Sequence, residues 1–347
     1  MAQAYKTETA NGTNGSPEAG RTGARVRSLL QRWRGDRGDR GIWRRGVVLA
    51  CFAVFIALLM ILHAQIPNRI GNLGSLTETF LPWLGAFIPV ILVVAVLRRS
   101  ATALVALLLP AVVWLNLFGG LLFNDKSGVG GDLTVATHNV NAGNPDPVGT
   151  AKQVAASGAD VVALQELPVG QVSTYEQALA GTYKYHAVEG TVGLWSKYPM
   201  TDTAPVDIQL GWTRALRSTV QTPKGAVAFY VAHMPSVRVK LNAGFTASQR
   251  DNSADALGEA IARERVGKVV LLGDLNGTMN DRSLNAVTSQ MRSTQGAAGD
   301  GFGFSWPASF PMARIDQIMV RGVEPVSSWT LPQTDSDHLP IAARIKM

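Results

Sequence analysis

The chain has little cysteine and little charge. One cysteine, Cys51, occurs in 347 residues, so no disulfide can form within the chain and no cysteine cluster can hold zinc. Only 16% of the residues are charged, whereas 46% are hydrophobic, which is a low charge content for a soluble protein. The composition therefore predicts that part of the chain lies in a membrane.

Three long apolar runs contain no Lys, Arg, Asp or Glu. They cover Gly46–Ala64, Phe80–Leu97 and Ala101–Phe123. At about 1.5 Å per helical residue, each run reaches or nearly reaches across about 30 Å of hydrocarbon, so we predict three transmembrane helices. The alternative, a signal peptide followed by buried core helices, is less favoured because a polar arm precedes the first run.

Positive charge is concentrated on one side of these runs. Residues 1–45 carry ten Lys or Arg against four acids, and Arg98 and Arg99 follow the second run. The positive-inside rule places both groups in the cytoplasm, which predicts a multi-pass cell-membrane protein with a cytoplasmic N-terminus. The predicted regions are a largely disordered basic arm (1–45), a transmembrane region (46–123), a linker (124–132) and an extracytoplasmic domain (133–347).

Beyond the linker, apolar segments alternate with polar turns. A helix-like segment at 149–157 separates the first two strands, and this alternation of strand and helix favours a layered α/β domain. The predicted strands are Leu133–Val140, Asp160–Leu167, Gly193–Tyr198, Ala226–Pro235, Val269–Leu272 and Ala313–Val320.

Acids, amides and histidines recur at the ends of these strands. One such residue is usually a turn former, but a whole series indicates oxygen ligands for a hard divalent cation and imidazoles for a phosphate. Asp274 and Asn276 are two residues apart and therefore leave an extended backbone on the same face. The complete series is Asn139, Glu166, His233, Asp274, Asn276, Asp316, Asp337 and His338.

Seven short motifs surround these residues in a fixed order. They are NV at 139–140, LQE at 164–166, GLWSKYP at 193–199, AHMP at 232–235, GDLN at 273–276, RIDQI at 314–318 and SDHLP at 336–340. In this order they resemble the endonuclease/exonuclease/phosphatase superfamily over roughly residues 131–347. The resemblance implies a DNase I-like four-layer α/β sandwich with two mixed β-sheets, and cleavage of phosphoester bonds with Mg²⁺ or Mn²⁺.

The resemblance also implies the metal ligands. Glu166 would bind the metal, with Asn139 and Asp337 near it. Whether one metal ion or two take part stays open.

The resemblance assigns the remaining residues to catalysis. Asp274 would orient or deprotonate the attacking water, helped by Asn276. His338, oriented by Asp316, would stabilise charge on the phosphoryl oxygens, and His233 would contact the phosphate from the opposite side.

The substrate is expected at the outer leaflet of the membrane. The nine-residue linker spans at most about 30 Å, which keeps the domain close to lipid-borne phosphates. The three-span layout resembles the actinomycete teicoplanin-resistance membrane proteins of the VanJ type, which implies a prenyl pyrophosphate or related envelope lipid and a link to glycopeptide resistance.

Two other functions remain open. A membrane-anchored extracellular nuclease is less favoured, since the outer domain is nearly neutral and DNA binding depends on Lys and Arg. A non-catalytic membrane sensor is less favoured because Glu166, Asp274 and His338 are all present. Nothing in the sequence indicates the oligomeric state.

Two further groups have an ordinary and a functional interpretation. The first group could be surface charge or substrate contacts, and surface charge is favoured; it comprises Arg214, Arg217, Lys240 and Arg250. The second group could be core or lipid-inserting aromatics, and core is favoured; it comprises Phe302, Phe304, Trp306 and Phe310.

Overall fold

A computed structural model describes residues 46–69, 71–123, 126–236 and 244–347, without the side chains of 244–248. The predicted basic arm lies outside these residues, as does Lys240. The α-helices are α1 (Val47–Ile61), α2 (Leu73–Thr79), α3 (Phe87–Leu97), α4 (Ala101–Leu122), α5 (Pro147–Ala156), α6 (Val172–Leu179), α7 (Gly244–Ala262), α8 (Asn285–Thr288) and α9 (Thr294–Ala298). Short 3₁₀ helices cover His63–Gln65, Leu81–Ala86, Val169–Gln171 and Arg282–Leu284.

Twelve strands are found in the described part of the chain. They are β1 (Leu133–Asn139), β2 (Val161–Gln165), β3 (Tyr185–Glu189), β4 (Val192–Ser196), β5 (Met200–Pro205), β6 (Ala215–Thr222), β7 (Gly225–His233), β8 (Val269–Asp274), β9 (Arg292–Ser293), β10 (Asp316–Arg321), β11 (Glu324–Thr330) and β12 (Ile341–Lys346).

Each of the three apolar runs forms a helix, although the helices differ in length. By length and composition, α4 is able to cross a membrane. A second candidate consists of two helical segments that are long and apolar enough only when taken together as one bent span. They are Leu73–Thr79 and Leu81–Leu97, with a bend of 66° between them. The 15 residues of α1 make an apolar helix that is shorter than a typical span. The described residues thus contain one candidate span, or two if the bent pair is counted, and three crossings remain a prediction.

The described residues divide into two compact units. The smaller unit contains the described residues up to Phe55 together with Ile88–Leu109, and its buried centre includes Ala53, Ile91 and Leu107. The larger unit contains Ile56–Phe87 and Pro110–Met347. The chain therefore leaves the larger unit at the start of α3 and re-enters it within α4.

The larger unit is built on two six-stranded sheets. Their strand orders are β11-β12-β1-β2-β4-β3 and β5-β6-β7-β8-β10-β9. Each sheet contains one parallel pair, β1 with β2 and β7 with β8, among antiparallel neighbours. The predicted α/β class with two mixed sheets is therefore confirmed.

The sheets and helices form four layers around three apolar clusters. The central cluster lies between the two sheets and includes Val135 and Val270. The outer face of the first sheet packs on α5 and α6, and that of the second sheet packs on α7 and α8. Because both faces of the central strands are covered, β8 is a continuous buried run rather than an alternating one.

Local sequence fixes the start of α5 and the close approach of β7 to β8. Asp146 caps α5 by accepting a hydrogen bond from the Gly149 amide, and Pro147 follows in the first turn. Gly273 has a φ of 151°, and a Cβ at this position would lie 1.9 Å from the carbonyl oxygen of Ala232. Because any side chain at position 273 would clash with the backbone of β7, only glycine allows β8 to pair with β7 there.

Candidate active site

The predicted site residues meet at one edge of the sandwich. Asn139 ends β1, and Glu166 directly follows β2, its parallel neighbour. His233 and Asp274 end β7 and β8 and face each other in the ladder. Because the carboxyl ends of parallel strands lie at the same edge of a sheet, the topology brings these four residues together.

Two of these positions have an unfavourable backbone conformation. Glu166 has a φ of 60° and Asn276 a φ of 47°. Asparagine tolerates the left-handed region, whereas glutamate rarely adopts it. Such strain is typical of functional positions. Glu166 directly follows β2, and Asn276 is separated from the end of β8 by Leu275.

Asn139 connects the two acids of the site. Its Nδ2 donates to Glu166 Oε1 at 3.1 Å and to Asp274 Oδ2 at 3.0 Å. Its Oδ1 accepts from the Asn141 amide at 3.0 Å, which fixes the orientation of the side-chain amide. The amide of Ala142 donates to the other Glu166 oxygen at 3.1 Å, so both carboxylate oxygens of Glu166 are held.

Asp274 is buried and surrounded by neutral donors. The backbone amide and the Nδ2 of Asn276 donate to its two oxygens at 2.8 and 3.1 Å. Burial and the nearby Asp316 charge raise the pKa of Asp274 to about 7, although His338 and the amide donors oppose the shift. The carboxylate can therefore exchange a proton near neutral pH.

His338 is paired with Asp316. His338 Nδ1 lies 2.9 Å from Asp316 Oδ2, and Ser305 Oγ donates to the same oxygen at 2.6 Å. Burial would lower the pKa of His338, but the charge of Asp316 raises it to about 10. Burial would likewise raise the pKa of Asp316, which the charge and hydrogen bond of His338 lower instead. The pair is an imidazolium–carboxylate pair, and His338 Nε2 lies 3.9 Å from Asp274 Oδ2.

His233 faces the same acids from the other side. Its Nε2 lies 3.5 Å from Glu166 Oε1 and 3.7 Å from Asp274 Oδ2. Burial lowers the pKa of His233 well below its usual range, and the charges of Arg214 and His338 lower it further. His233 is therefore neutral and contacts the guanidinium of Arg214.

A cavity of about 460 Å³ opens onto these groups. It is lined by Glu166, His233, Asp274, Asn276 and His338, and by Asp337, whose side chain is exposed. Asn139 and Asp316 reach the cavity through their hydrogen bonds to these lining residues. The structure thus brings together all eight site residues predicted from the sequence, whereas the role of each stays a prediction.

Arg214 also lines this cavity. It stands at the loop before β6, with its guanidinium 5.0 Å from the ring centroid of Trp212. No motif marks the position, so nothing in the sequence favoured it over the other basic residues considered. Arg217 instead makes a partly buried ion pair with Glu264, and Arg250 a buried one with Asp281.

Three more lining residues come from a segment to which the sequence assigned no site. Leu76, Thr79 and Phe80, in and after α2, line the same cavity. The aromatic residues considered as core lie outside the cluster between the sheets, and two of them pack on the segment after α2 and on α4. Phe304 stacks on Trp83, Phe302 contacts Trp114, and Phe310 is 62% exposed.

The donor groups fit a hard divalent cation. Asp274, Asp316 and His338 offer ligand atoms within 4.8 Å of one another, but the imidazole nitrogen Nδ1 of that group is already engaged by Asp316. Glu166 is better placed, because its side chain is 33% exposed and it shares the Asn139 amide with Asp274. Carboxylates around an open cavity suit Mg²⁺ or Mn²⁺.

Comparison with known proteins agrees with this geometry. The profile of the Endonuclease/Exonuclease/phosphatase family matches residues 136–338, which is more than half of the chain and includes all eight predicted residues. No curated protein sequence matches the chain.

Several solved structures share the fold. The mannosyl-6-phosphatase Bt3783 of Bacteroides thetaiotaomicron VPI-5482 is 19% identical over 62% of this chain and 100% of its own, with a TM-score of 0.52. D. rerio TDP2 complexed with single strand DNA product is 17% identical over 62% and 99%, with a TM-score of 0.53. A Staphylococcus aureus beta toxin is 15% identical over 61% and 99%, with a TM-score of 0.51. These likenesses show the fold alone. The profile match over more than half of the chain establishes that the chain belongs to the endonuclease/exonuclease/phosphatase family.

Proposed function

We propose that the protein is a metal-dependent phosphoester hydrolase, tethered at the outer face of the cell membrane, that acts on a phosphate or pyrophosphate ester of a cell-envelope lipid. The proposed hydrolase activity rests on one observation: Glu166, Asp274 and the His338–Asp316 pair cluster around one cavity. The family supplies the reaction class, and the remaining parts of the proposal rest on the position of the domain.

The site residues divide the chemistry among them. Glu166, with Asn139 and Asp337 near it, would hold Mg²⁺ or Mn²⁺, and such an ion neutralises charge on phosphoryl oxygens. Asp274 accepts a proton from the attacking water, because its pKa lies close to neutral pH.

Three cationic or neutral donors face the phosphate. His338, held as an imidazolium by Asp316, donates to a phosphoryl oxygen as negative charge develops there. Arg214 adds a planar guanidinium suited to phosphate oxygens, and neutral His233 lies between Arg214 and the acids.

Two contacts support a position beside the membrane. After α4, the Lys126 ammonium donates to the Gly296 carbonyl at 2.8 Å, and the Gly128 amide donates to the Val326 carbonyl at 2.6 Å. Lys126 and Gly128 of the predicted linker are therefore bound to the domain, which keeps the domain near the end of α4. Lipid-borne phosphates are the substrates concentrated at that distance.

The loop after α1 supports the same topology. Its residues contact the outer domain, as Arg250 Nη1 donates to Ser75 Oγ at 3.0 Å. In the proposed arrangement α3 and α4 cross the membrane in opposite directions, which returns the chain to the side of this loop. Three crossings are therefore consistent with the contact, whereas a single crossing by either α3 or α4 is not.

A substrate panel tests the proposed activity. The detergent-solubilised chain would be assayed with Mg²⁺ and with Mn²⁺ against a prenyl pyrophosphate, a phospholipid and DNA, measuring released phosphate and strand cleavage. We expect turnover of the prenyl pyrophosphate to exceed that of the other two. Preferential DNA cleavage would establish the nuclease alternative, and no hydrolysis by a folded, metal-loaded protein would favour the sensor.

Thiol labelling tests the proposed topology. In a Cys51→Ala background, Gly181→Cys introduces a thiol at an exposed position where a Cβ meets nothing within 4 Å. We expect this thiol, and not that of Ser28→Cys in the basic arm, to react with an impermeant maleimide on intact cells. The reverse pattern would place the site in the cytoplasm and remove the envelope-lipid proposal.

A link to glycopeptide resistance is part of the same proposal. If the substrate is an envelope lipid, expressing the chain in a susceptible host should raise the teicoplanin concentration that inhibits growth. The matched control is the same chain carrying Asp274→Asn, and equal inhibition by teicoplanin in the two strains would remove the link.

A further inference from the structure

The catalytic cavity has a polar half and an apolar half. The polar half carries the acids, imidazoles and guanidinium described above. The apolar half is formed by Leu76, Phe80, Trp306 and Ile315. Leu76 and Phe80 are half-buried, so part of each side chain faces the cavity, next to the place where a phosphate would bind.

Leu76 and Phe80 come from a segment that is firmly held against the domain. Arg250 is 3% exposed and donates from Nη1 to Ser75 Oγ at 3.0 Å. Its Nη2 donates to Asp281 Oδ2 at 2.6 Å and to the Asn276 carbonyl at 2.8 Å. One buried arginine therefore joins α2 to a backbone group of the catalytic site.

Arg282 makes a second attachment. Its guanidinium donates to the carbonyl oxygens of Ala64 and Ile66, while Thr278 Oγ1 donates to the Glu78 carbonyl at 3.2 Å. The fit is close at Gly74, where a Cβ would lie 2.4 Å from the Ile66 carbonyl oxygen and 2.5 Å from the Arg282 Nη2. Glycine at this position permits the approach.

Trp83 fixes the other end of the segment. Its indole Nε1 donates to the Met312 carbonyl at 2.8 Å, and its ring stacks on Phe304 with the centroids 6.0 Å apart. The segment between α1 and α3 is therefore attached at several points, and its apolar side chains are positioned before any substrate arrives. Such preorganisation reduces the entropic cost of binding.

We infer that Leu76 and Phe80 determine substrate specificity: they recognise an apolar chain attached directly to the phosphate group held by the polar half. This inference rests on the proposed hydrolase function and names its substrate class, phosphate esters of long-chain alcohols. The side chains of Leu76, Phe80 and Ile315 carry no hydrogen-bonding group. Sugar hydroxyls or bases placed against them would lose their hydrogen bonds to water without gaining new ones.

A chain-length series of alkyl phosphonates tests the inference without catalysis. Phosphonates from ethyl to octyl, kept below their micellar concentrations, would be titrated calorimetrically into the Mg²⁺-loaded full chain in nanodiscs, with empty nanodiscs subtracted. Each methylene that reaches the apolar half should strengthen binding about fourfold, from about 0.8 kcal/mol per buried methylene. We therefore expect the dissociation constant to fall steadily as the chain lengthens.

Substitutions in α2 identify the residues responsible. Leu76→Asn or Phe80→Asn should flatten the dependence on chain length, so that octyl phosphonate loses at least about tenfold more affinity than ethyl phosphonate does. Leu73→Asn is the matched control, because Leu73 lies on the same helix, is 45% exposed and does not line the cavity. This control should keep the full dependence on chain length.

Gly74→Ala provides a test that leaves the lining side chains unchanged. The added methyl group should displace α2 and flatten the dependence on chain length, whereas Gly170→Ala, at a position with nothing within 4 Å, should not. An unchanged dependence in Leu76→Asn and Phe80→Asn, or equal losses for every phosphonate, would overturn the inference.

The outcomes separate the inference from the proposed function. A chain-length dependence that Leu76→Asn abolishes, without hydrolysis of any ester, would leave the recognition role standing and refute the hydrolase. Hydrolysis of prenyl pyrophosphate by a protein whose phosphonate affinity does not depend on chain length would refute the recognition role alone.

Discussion

Two buried carboxylates in this protein differ in what surrounds them. Glu264 accepts hydrogen bonds from Arg217 Nε at 2.9 Å, Arg217 Nη2 at 3.1 Å, the Tyr230 hydroxyl at 3.0 Å and the Val266 amide at 2.8 Å. Asp274 accepts only from neutral amides and lies near a second acid, Asp316. Both side chains are almost fully buried, with 6% and 2% exposed.

The surroundings shift the two pKa values in opposite directions. Burial would raise the pKa of Glu264, but the hydrogen bonds and charge of Arg217 lower it to about 2. Burial and Asp316 raise the pKa of Asp274 to about 7. The difference lies in the charge of the neighbours: Glu264 accepts from a cation and keeps a low pKa, whereas Asp274 accepts from uncharged amides and lies near a second acid.

The largest expected effect comes from Asp274→Asn. The amide keeps the shape and can still pair with Asn276, but it cannot accept the water proton, so turnover should fall at least about a hundredfold. Steady-state hydrolysis and thermal unfolding measure the two properties, with Asp202→Asn, at an exposed position, as control. Near-normal turnover in a folded Asp274→Asn protein would show that this carboxylate is not the base.

His338 and Asp316 should act as one unit. Because Asp316 holds the His338 ring at 2.9 Å and keeps it protonated, removing either residue should reduce turnover almost as much as removing both. Rates for Asp316→Asn, His338→Ala and the double variant, at saturating Mg²⁺, decide the question. Multiplicative losses, with Asp316→Asn nearly silent, would show that His338 is oriented by another group.

Glu166→Gln should weaken metal binding by roughly ten- to a hundredfold. A metal that binds only the folded protein raises its melting temperature, so the increase produced by added Mg²⁺ should shrink in this variant. Differential scanning calorimetry over a Mg²⁺ series measures this, and Glu176→Gln is a control outside the cavity. An undiminished increase would place the ion elsewhere, the cluster of Asp274, Asp316 and His338 being the next candidate.

Glu264→Gln should have the smallest effect on activity and act on stability alone. Replacing Glu264 leaves the positive charge of Arg217 largely buried and without its counter-charge, which costs about 3 kcal/mol of unfolding free energy. Denaturant unfolding measures the loss, and kcat should stay within about twofold of the original because Glu264 lies outside the catalytic cavity. A large fall in kcat would contradict the expectation that Glu264 stabilises the fold without taking part in catalysis.

The same pair predicts a pH dependence of stability. The pKa of Glu264 is lower in the folded protein, about 2, than its ordinary value of 4.5. Its stabilising contribution is therefore complete above pH 4.5 and is lost as the pH falls towards 2. Unfolding free energies between pH 6 and pH 3 should fall more steeply for the original protein than for Glu264→Gln, and parallel curves would refute the assignment.

The sequence predicted the strand-end residues well because several constraints coincide there. The buried run of β8 ends in Gly273 and Asp274, and the histidines of two motifs, His233 and His338, line the same cavity as Asp274, whereas their roles stay predictions. Strand β5 was not predicted, since five of its six residues are exposed and show no apolar alternation. An edge strand of this kind is defined by its pairing with β6 rather than by its own composition.

The apolar half of the cavity could not be predicted for a different reason. Leu76 and Phe80 precede the domain they contact, and their position depends on Arg250 and Arg282, which look like surface charges in the sequence. Only the fold shows that Arg250 is 3% exposed and bonded to Ser75. Contacts between segments so far apart in the chain leave no recognisable pattern in the sequence of either segment.

The left-handed backbone of Glu166 has a consequence for protein engineering. At a φ of 60° a glycine would be more favourable than glutamate by about 1 kcal/mol, so stability-driven redesign would select glycine here. That choice would remove the carboxylate that the cavity presents to a cation. Under the metal-binding role proposed for Glu166, a more thermostable sequence at this position would be a less active one, and a library built to improve folding would have to keep residue 166 fixed.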